Sequence, residues 1–158
     1  MTKTRRFLLA IYLLLLGACQ ARPDTSLPPE ILFGEDICTE CGMIISEARF
    51  AAAYYTPGGE ARRFDDIGGM LTHHARQQED VARFWVHDYE TEEWIVAGDA
   101  FFVSVDDLHT PMGFGLVAFS DQTRARNFAD QSQSMAMTFD QTMEKYLQGG
   151  ALLEHPDS

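Results

Sequence analysis

Two stretches of this chain carry the same order of backbone signals, and that order is what most limits the fold. In the first, Phe50 to Tyr55 is an apolar, aromatic-ended run and Pro57-Gly58-Gly59 marks a turn. Ala61 to Phe64 makes a second strand, and Asp65 or Asp66 caps a helix through Ile67, Met70, Leu71 and His74. Val81 to Val86 closes as a strand. In the second, Ala100 to Val105, a Pro/Gly segment (Thr110 to Gly115) and Leu116 to Phe119 follow the same plan. Ser120 or Asp121 caps a helix over Thr123 to Gln131, and Met135 to Phe139 forms the last strand. Phe64-Asp65-Asp66 and Phe119-Ser120-Asp121 hold equivalent places, each an aromatic strand end running into a helix cap. The pattern predicts an α+β fold of two small β-β-α-β units, about 50–87 and 100–139, related by an internal pseudo-repeat. Gln141 to Leu147 reads as one short helix broken by Gly149-Gly150, with residues 149–158 as a flexible tail.

The start of the chain places these units in the cell. Lys3, Arg5 and Arg6 precede an unbroken apolar run from Phe7 to Leu16. As a helix that run covers roughly 15 Å, about half of a ~30 Å hydrocarbon core, so it reads as a signal-peptide segment rather than a span. It ends in Leu16-Gly17-Ala18-Cys19, which resembles a bacterial lipoprotein signal with Cys19 as the acylated new N-terminus. Residues 1–18 are then the signal peptide. Residues 19–34, rich in proline, are an extended tether, and residues 35–148 are the folded domain. More than one acyl chain gives a stable anchor. Gln20, rather than Asp, after the cysteine favours the outer membrane over the inner in an enteric-type cell envelope.

Removal of residues 1–18 takes away three basic and no acidic side chains, moving the formal charge from −12 to −15. Such a surface excludes nucleic-acid binding through phosphates, which needs a basic footprint. No nucleophilic triad, phosphate loop or dinucleotide fingerprint occurs, and no catalysis is expected.

The chemistry concentrates in Cys38-Thr39-Glu40-Cys41-Gly42-Met43. With Cys19 committed to lipid, Cys38 and Cys41 are the free pair. A closed zinc site cannot be built from two cysteines, and adjacent His73 and His74 do not supply a His-x-x-x-His half, so zinc needs a second chain or scattered ligands. A local disulfide is compatible with export. A thioether beside two thiols is instead the soft donor set that selects Cu(I). A thiol-disulfide enzyme is the other reading, but its motif opens a helix after a strand, and Gly42-Met43-Ile44-Ile45-Ser46 does not read as a helix start.

Four blocks occur in order: Asp36-x-Cys38-x-x-Cys41-Gly42-Met43-x-Ile45, Phe64-Asp65-Asp66-Ile67-Gly68-x-Met70, Val86-x-Asp88-Tyr89 before Trp94-Ile95, and Thr110-Pro111-Met112-Gly113-Phe114-Gly115. Together they resemble the NosL family, lipoprotein copper chaperones associated with maturation of nitrous oxide reductase, over roughly residues 35–140. The resemblance implies Cu(I) bound through Cys41 and Met43. It also implies delivery towards the reductase's copper-sulfide centre, with a membrane ABC-type assembly complex, and the reductase itself, as partners. A periplasmic copper carrier with another client is the alternative, as is a membrane-anchored thiol-disulfide protein.

Cys38 is a second thiolate, a redox partner or a support. A further ligand comes from the second unit's Pro/Gly segment, with Met112 favoured over His109, which reads as a surface histidine. Met135 and Met137 alternate as strand residues and Met70 lies on the apolar helix face, so packing accounts for all three. Asp65 and Asp66 can bind metal, but helix capping accounts for their position more cheaply, and packing over the sheet accounts for Tyr89 and Trp94.

Overall fold

The structure is a computed structural model and describes residues 24–153. The signal peptide and the lipidation reading at Cys19 lie outside the described residues.

The first unit contains β1 (Ala52–Tyr55), β2 (Ala61–Phe64), helix α1 (Ile67–Gln77), β3 (Arg83–His87) and a short β4 (Trp94–Val96). The second contains β5 (Phe101–Ser104), β6 (Leu116–Phe119), helix α2 (Gln122–Gln131) and β7 (Ala136–Thr138). Helix α3 (Phe139–Leu153) ends the described chain. Strand order is β2-β1-β3-β4 in one sheet and β6-β5-β7 in the other, all pairs antiparallel. In both units the first strand therefore takes the middle, with its hairpin partner on one side and the strand after the helix on the other. That shared order establishes the internal repeat as structure. A parallel bridge between Asp88 and Ala118 joins the two sheets.

The caps form as the residue types dictate. Asp66 accepts from the Gly68 N–H at 2.8 Å and Asp121 from the Arg124 N–H at 2.9 Å, each satisfying an amide that the first helical turn leaves free. Phe64, Ile67, Met70 and Leu71 are fully buried with Tyr54 and Val86 between α1 and the first sheet. Val103, Val117 and Phe119 pack on Ala125 and Ala129 of α2.

Four features differ from the sequence reading. Strand β4 forms after the acidic turn because Ile95 and Val96 pair with Val86 and Trp85. The tether does not extend to residue 34: Pro29 and Ile31 are buried, and the Arg63 guanidinium donates to the Glu30 carbonyl at 2.7 Å and pairs with Asp36 at 3.3 Å. Strand β7 stops at Thr138, since Phe139 turns inward as the first residue of α3 and packs near Phe84 and Phe102. Helix α3 does not end at Leu147 but passes through Gly149-Gly150 to Leu153. Glycine costs a helix interior only about 1 kcal/mol each, and no proline lies between Gly150 and Leu153 to stop it.

Candidate metal centre

The Cys-x-x-Cys-Gly-Met motif lies on the end of a tight hairpin, not at a helix start. Ile37 and Ile44 form an antiparallel bridge, flanked by Ile45 N–H to Asp36 O at 2.9 Å and Cys38 N–H to Met43 O at 2.7 Å. The turn closes with Gly42 N–H donating to Cys38 O at 3.0 Å. Gly42 has φ +73°, a conformation that glycine adopts without the usual Cβ penalty. The hairpin docks on the edge of β2: Thr39 N–H donates to Arg63 O at 2.7 Å, and Arg63 N–H returns to the Thr39 hydroxyl at 3.1 Å. Glu40, between the two cysteines, is held by His73 Nδ1 at 2.7 Å and by Arg76, both on α1. The loop is thus fixed from two sides.

The two thiols differ in environment. Cys38 is 2% exposed and belongs to the apolar core, whereas Cys41 is exposed. Burial pushes the Cys38 thiol up to about 12, against neighbouring backbone N–H bonds that pull it down, with Asp65 adding to the rise. Cys41 Sγ donates to Asp65 Oδ2 at 3.4 Å. One ligand atom from each of Cys38, Cys41 and Asp65 lies within 4.8 Å of the other two. Asp65 is 2% exposed, and its Oδ1 is buried without a hydrogen-bond partner.

Asp65 is the residue that the sequence offers as a metal ligand but assigns, more cheaply, to helix capping. The Asp65-Asp66 pair was read as two candidates for one capping role, and Asp66 alone caps. The signal was the doublet itself: a cap uses one carboxylate, which leaves the other for different work.

The second unit's loop arrives at the neighbouring carboxylate. Thr110 Oγ1 donates to Asp66 Oδ2 at 2.5 Å, and Met112 N–H donates to the same oxygen at 3.1 Å. Gly115 N–H donates to Thr110 Oγ1 at 3.1 Å, in a turn where Gly115 has φ +62° and packs against Val105 O. Met112 is half-buried, its sulfur lying over Gly69 of α1. Met43 is 61% exposed at the hairpin end, and His109 is exposed where the second loop begins. Met70 is fully buried as expected, and Met137 is half-buried. Met135 is not packed: it is 76% exposed, just before the short edge strand β7. Tyr89 packs on the second core, and Trp94 lies over the His87 ring with centroids 3.7 Å apart.

Exposed large apolar side chains cluster around this hairpin: Leu32, Phe33, Ile37, Met43 and Ile44 all lie within it or directly before it. No helix among the described residues is long and apolar enough to cross a membrane.

The family model described as NosL matches residues 30–147. The chain is 26% identical over 146 residues to the copper-binding lipoprotein NosL of Stutzerimonas stutzeri, an alignment covering 82% of this chain and 74% of that protein. The crystal structure of the copper chaperone NosL from Shewanella denitrificans aligns with a TM-score of 0.63 at 20% identity, over 75% of this chain and 96% of that one, a likeness of fold. With a family model matched across the hairpin, both sheets and most of α3, the chain belongs to the NosL family.

Proposed function

We propose that this protein is a Cu(I)-binding lipoprotein chaperone of the cell envelope, lipid-anchored through Cys19 and facing the periplasm. It delivers copper for assembly of the copper-sulfide centre of nitrous oxide reductase. Its partners in this role are a membrane ABC-type assembly complex and the reductase itself. The observation that carries the reading is the convergence of two cysteine sulfurs at the end of a solvent-facing hairpin, one buried and one exposed. Membership of the NosL family supports it, as do relatives named for copper binding and copper chaperoning.

Cys41 and Met43 are the primary ligands, Cys38 the second thiolate, and Met112 the further sulfur brought by the second unit. Copper enters as cargo. Each thiol that ligates gives up its proton, so binding strengthens as pH rises. The exposed side of the site is where a partner's soft donor attacks the ion, and copper passes by ligand exchange. An apolar rim of Ile37, Ile44 and Phe33 supports docking of a protein surface during that exchange.

The test is anaerobic titration of the reduced full chain in detergent with Cu(I) against a competing chelator. Cys41→Ala and Met43→Leu each weaken binding, the cysteine variant more. If neither does, the ligand assignment is wrong.

A further inference from the structure

Strand β7 faces its residues the opposite way from what packing would choose. Ala136 packs on the second core with Ala125 and Ala129, whereas Met137 is half-buried and Met135 is 76% exposed. Among the described residues, neither methionine packs into either core. The strand buries its small side chain and forgoes the burial of its two large apolar ones. Alternation puts positions 135 and 137 on one side, with Cα atoms about 6.6 Å apart. Both line one open cleft, together with Ser104, Asp106, Gln133 and Lys145. The backbone that carries them is held in place. Met137 sits opposite Phe102 in the β5–β7 pairing. Just before Met135, the Ser134 N–H donates to the Ala129 carbonyl at 2.8 Å, and the Ser134 hydroxyl donates to the Ser104 carbonyl.

We propose that Met135 and Met137 form a second soft-metal site, a paired-thioether site that captures Cu(I) at the edge of the second sheet. It shares no residue with the cysteine hairpin, which docks on the first sheet, and rests on the copper reading above only for the supply of that ion. Thioether sulfur is a neutral soft donor, suited to Cu(I) and poorly suited to harder cations. Each methionine is unbranched with three rotatable bonds, so both sulfurs can turn onto one ion from a base of about 6.6 Å. Lys145 in the same cleft opposes any cation, and opposes a dication twice as strongly as a monocation. Asp106 offsets part of that opposition for the monocation. A thioether gives up no proton when it binds, so this site keeps its affinity in acid, where thiolate ligands lose theirs. Two neutral donors on an open cleft hold copper loosely, which makes this a site of capture rather than storage.

The experiment follows the methionine methyl groups of the full, lipidated chain in detergent. Protein carrying Cys38→Ser and Cys41→Ser is labelled with methyl-¹³C methionine and titrated with Ag(I), a soft monocation in place of Cu(I), in chloride-free buffer. The Met135 and Met137 methyl signals move together with one affinity, and that affinity changes less than about twofold between about pH 5 and 8. Met135→Leu and Met137→Leu, which keep the side-chain volume, each weaken it at least ~tenfold. Silent methyls at 135 and 137, or two methyls that move with different affinities, would overturn the proposal. A loss confined to one of the two leucine variants would also overturn it, because a single thioether would then be the ligand. Parallel titration of the chain with its cysteines intact separates this site from the hairpin. Cu(I) held at the hairpin with silent Met135 and Met137 methyls sinks the second site alone. A hairpin that takes no Cu(I) while these methyls still respond sinks the copper reading alone.

Discussion

Asp66 and Thr110 are 44 positions apart in sequence, and the Thr110 hydroxyl donates to the Asp66 carboxylate at 2.5 Å, so the cap of the first unit's helix is also the anchor of the second unit's loop. The same carboxylate takes the Gly68 and Met112 amides. Replacing it with alanine removes a helix cap and strands a buried hydroxyl and an amide. We expect Asp66→Ala to cost about 3 kcal/mol in urea unfolding, with Asp66→Asn costing less. Because Met112 loses its backbone tether, Asp66→Ala also weakens Cu(I) binding in the competition titration.

The two thiols should react at very different rates. With its thiol raised to about 12 by burial, Cys38 is thiolate in only about one molecule in ten thousand near pH 8, and it is shielded as well. Iodoacetamide applied to reduced, metal-free protein should modify Cys41 at least ~100-fold faster than Cys38, read by mass spectrometry of the digested chain. The Cys38 rate should climb about tenfold per pH unit between about pH 7 and 9. Comparable rates at the two cysteines would contradict the buried placement of Cys38.

Acid stability should centre on Asp88. Its carboxylate is fully buried; that burial alone would raise its pKa, but Arg124 at 2.7 Å and the Ser120 amide and hydroxyl at 2.8 Å hold it well below the usual range. A depressed folded value means stability that is complete above the unfolded value of about 4 and is lost as pH falls towards the folded one. Arg124→Ala should cost about 2–4 kcal/mol at neutral pH and flatten the loss below about pH 4. His87, kept below its ordinary value by burial, adds a second loss: the unfolded chain takes up a proton below about pH 6.5 while the folded one resists. Thermal unfolding across that range reads both.

Adjacent glycines in α1 should respond in opposite ways. A Cβ at Gly68 would stand 2.3 Å from Phe114 Cβ and 2.7 Å from the Tyr146 hydroxyl, inside packed side chains that cannot retreat. A Cβ at Gly69 would meet the Met112 sulfur at 2.5 Å, a flexible end that can. Gly68→Ala is therefore expected to cost about 2 kcal/mol despite the better helix propensity, and Gly69→Ala to lie within about 1 kcal/mol of wild type while weakening Cu(I) binding through Met112. Urea midpoints and the copper titration separate the two.

What could be read from the sequence follows from how local each cause is. The strand-turn-strand-helix-strand order was legible because alternating apolar runs, Pro57-Gly58-Gly59 and the Asp caps act within a few residues. Strand β4 was not, because three residues after an acidic turn form a strand only by pairing with β3. The end of α3 was misplaced because two glycines weaken a helix without stopping it. In the site, Cys38, Cys41 and Met43 announced themselves by spacing. Asp65 did not, because its role depends on a contact made 24 residues away from Cys41. Met135 shows the converse: alternation named a face, but not whether any element covers it.

Helix α3 is the last described element, yet Phe139, Met143 and Tyr146 pack into the first core, the one that contains Cys38. Tyr146 reaches Gly68 beside the carboxylates, and Phe139 lies against Phe84 of β3. The floor beneath a ligand loop encoded near the start is laid by residues encoded near the end. The core around Cys38 is therefore closed only once residues more than 100 positions downstream of it have docked.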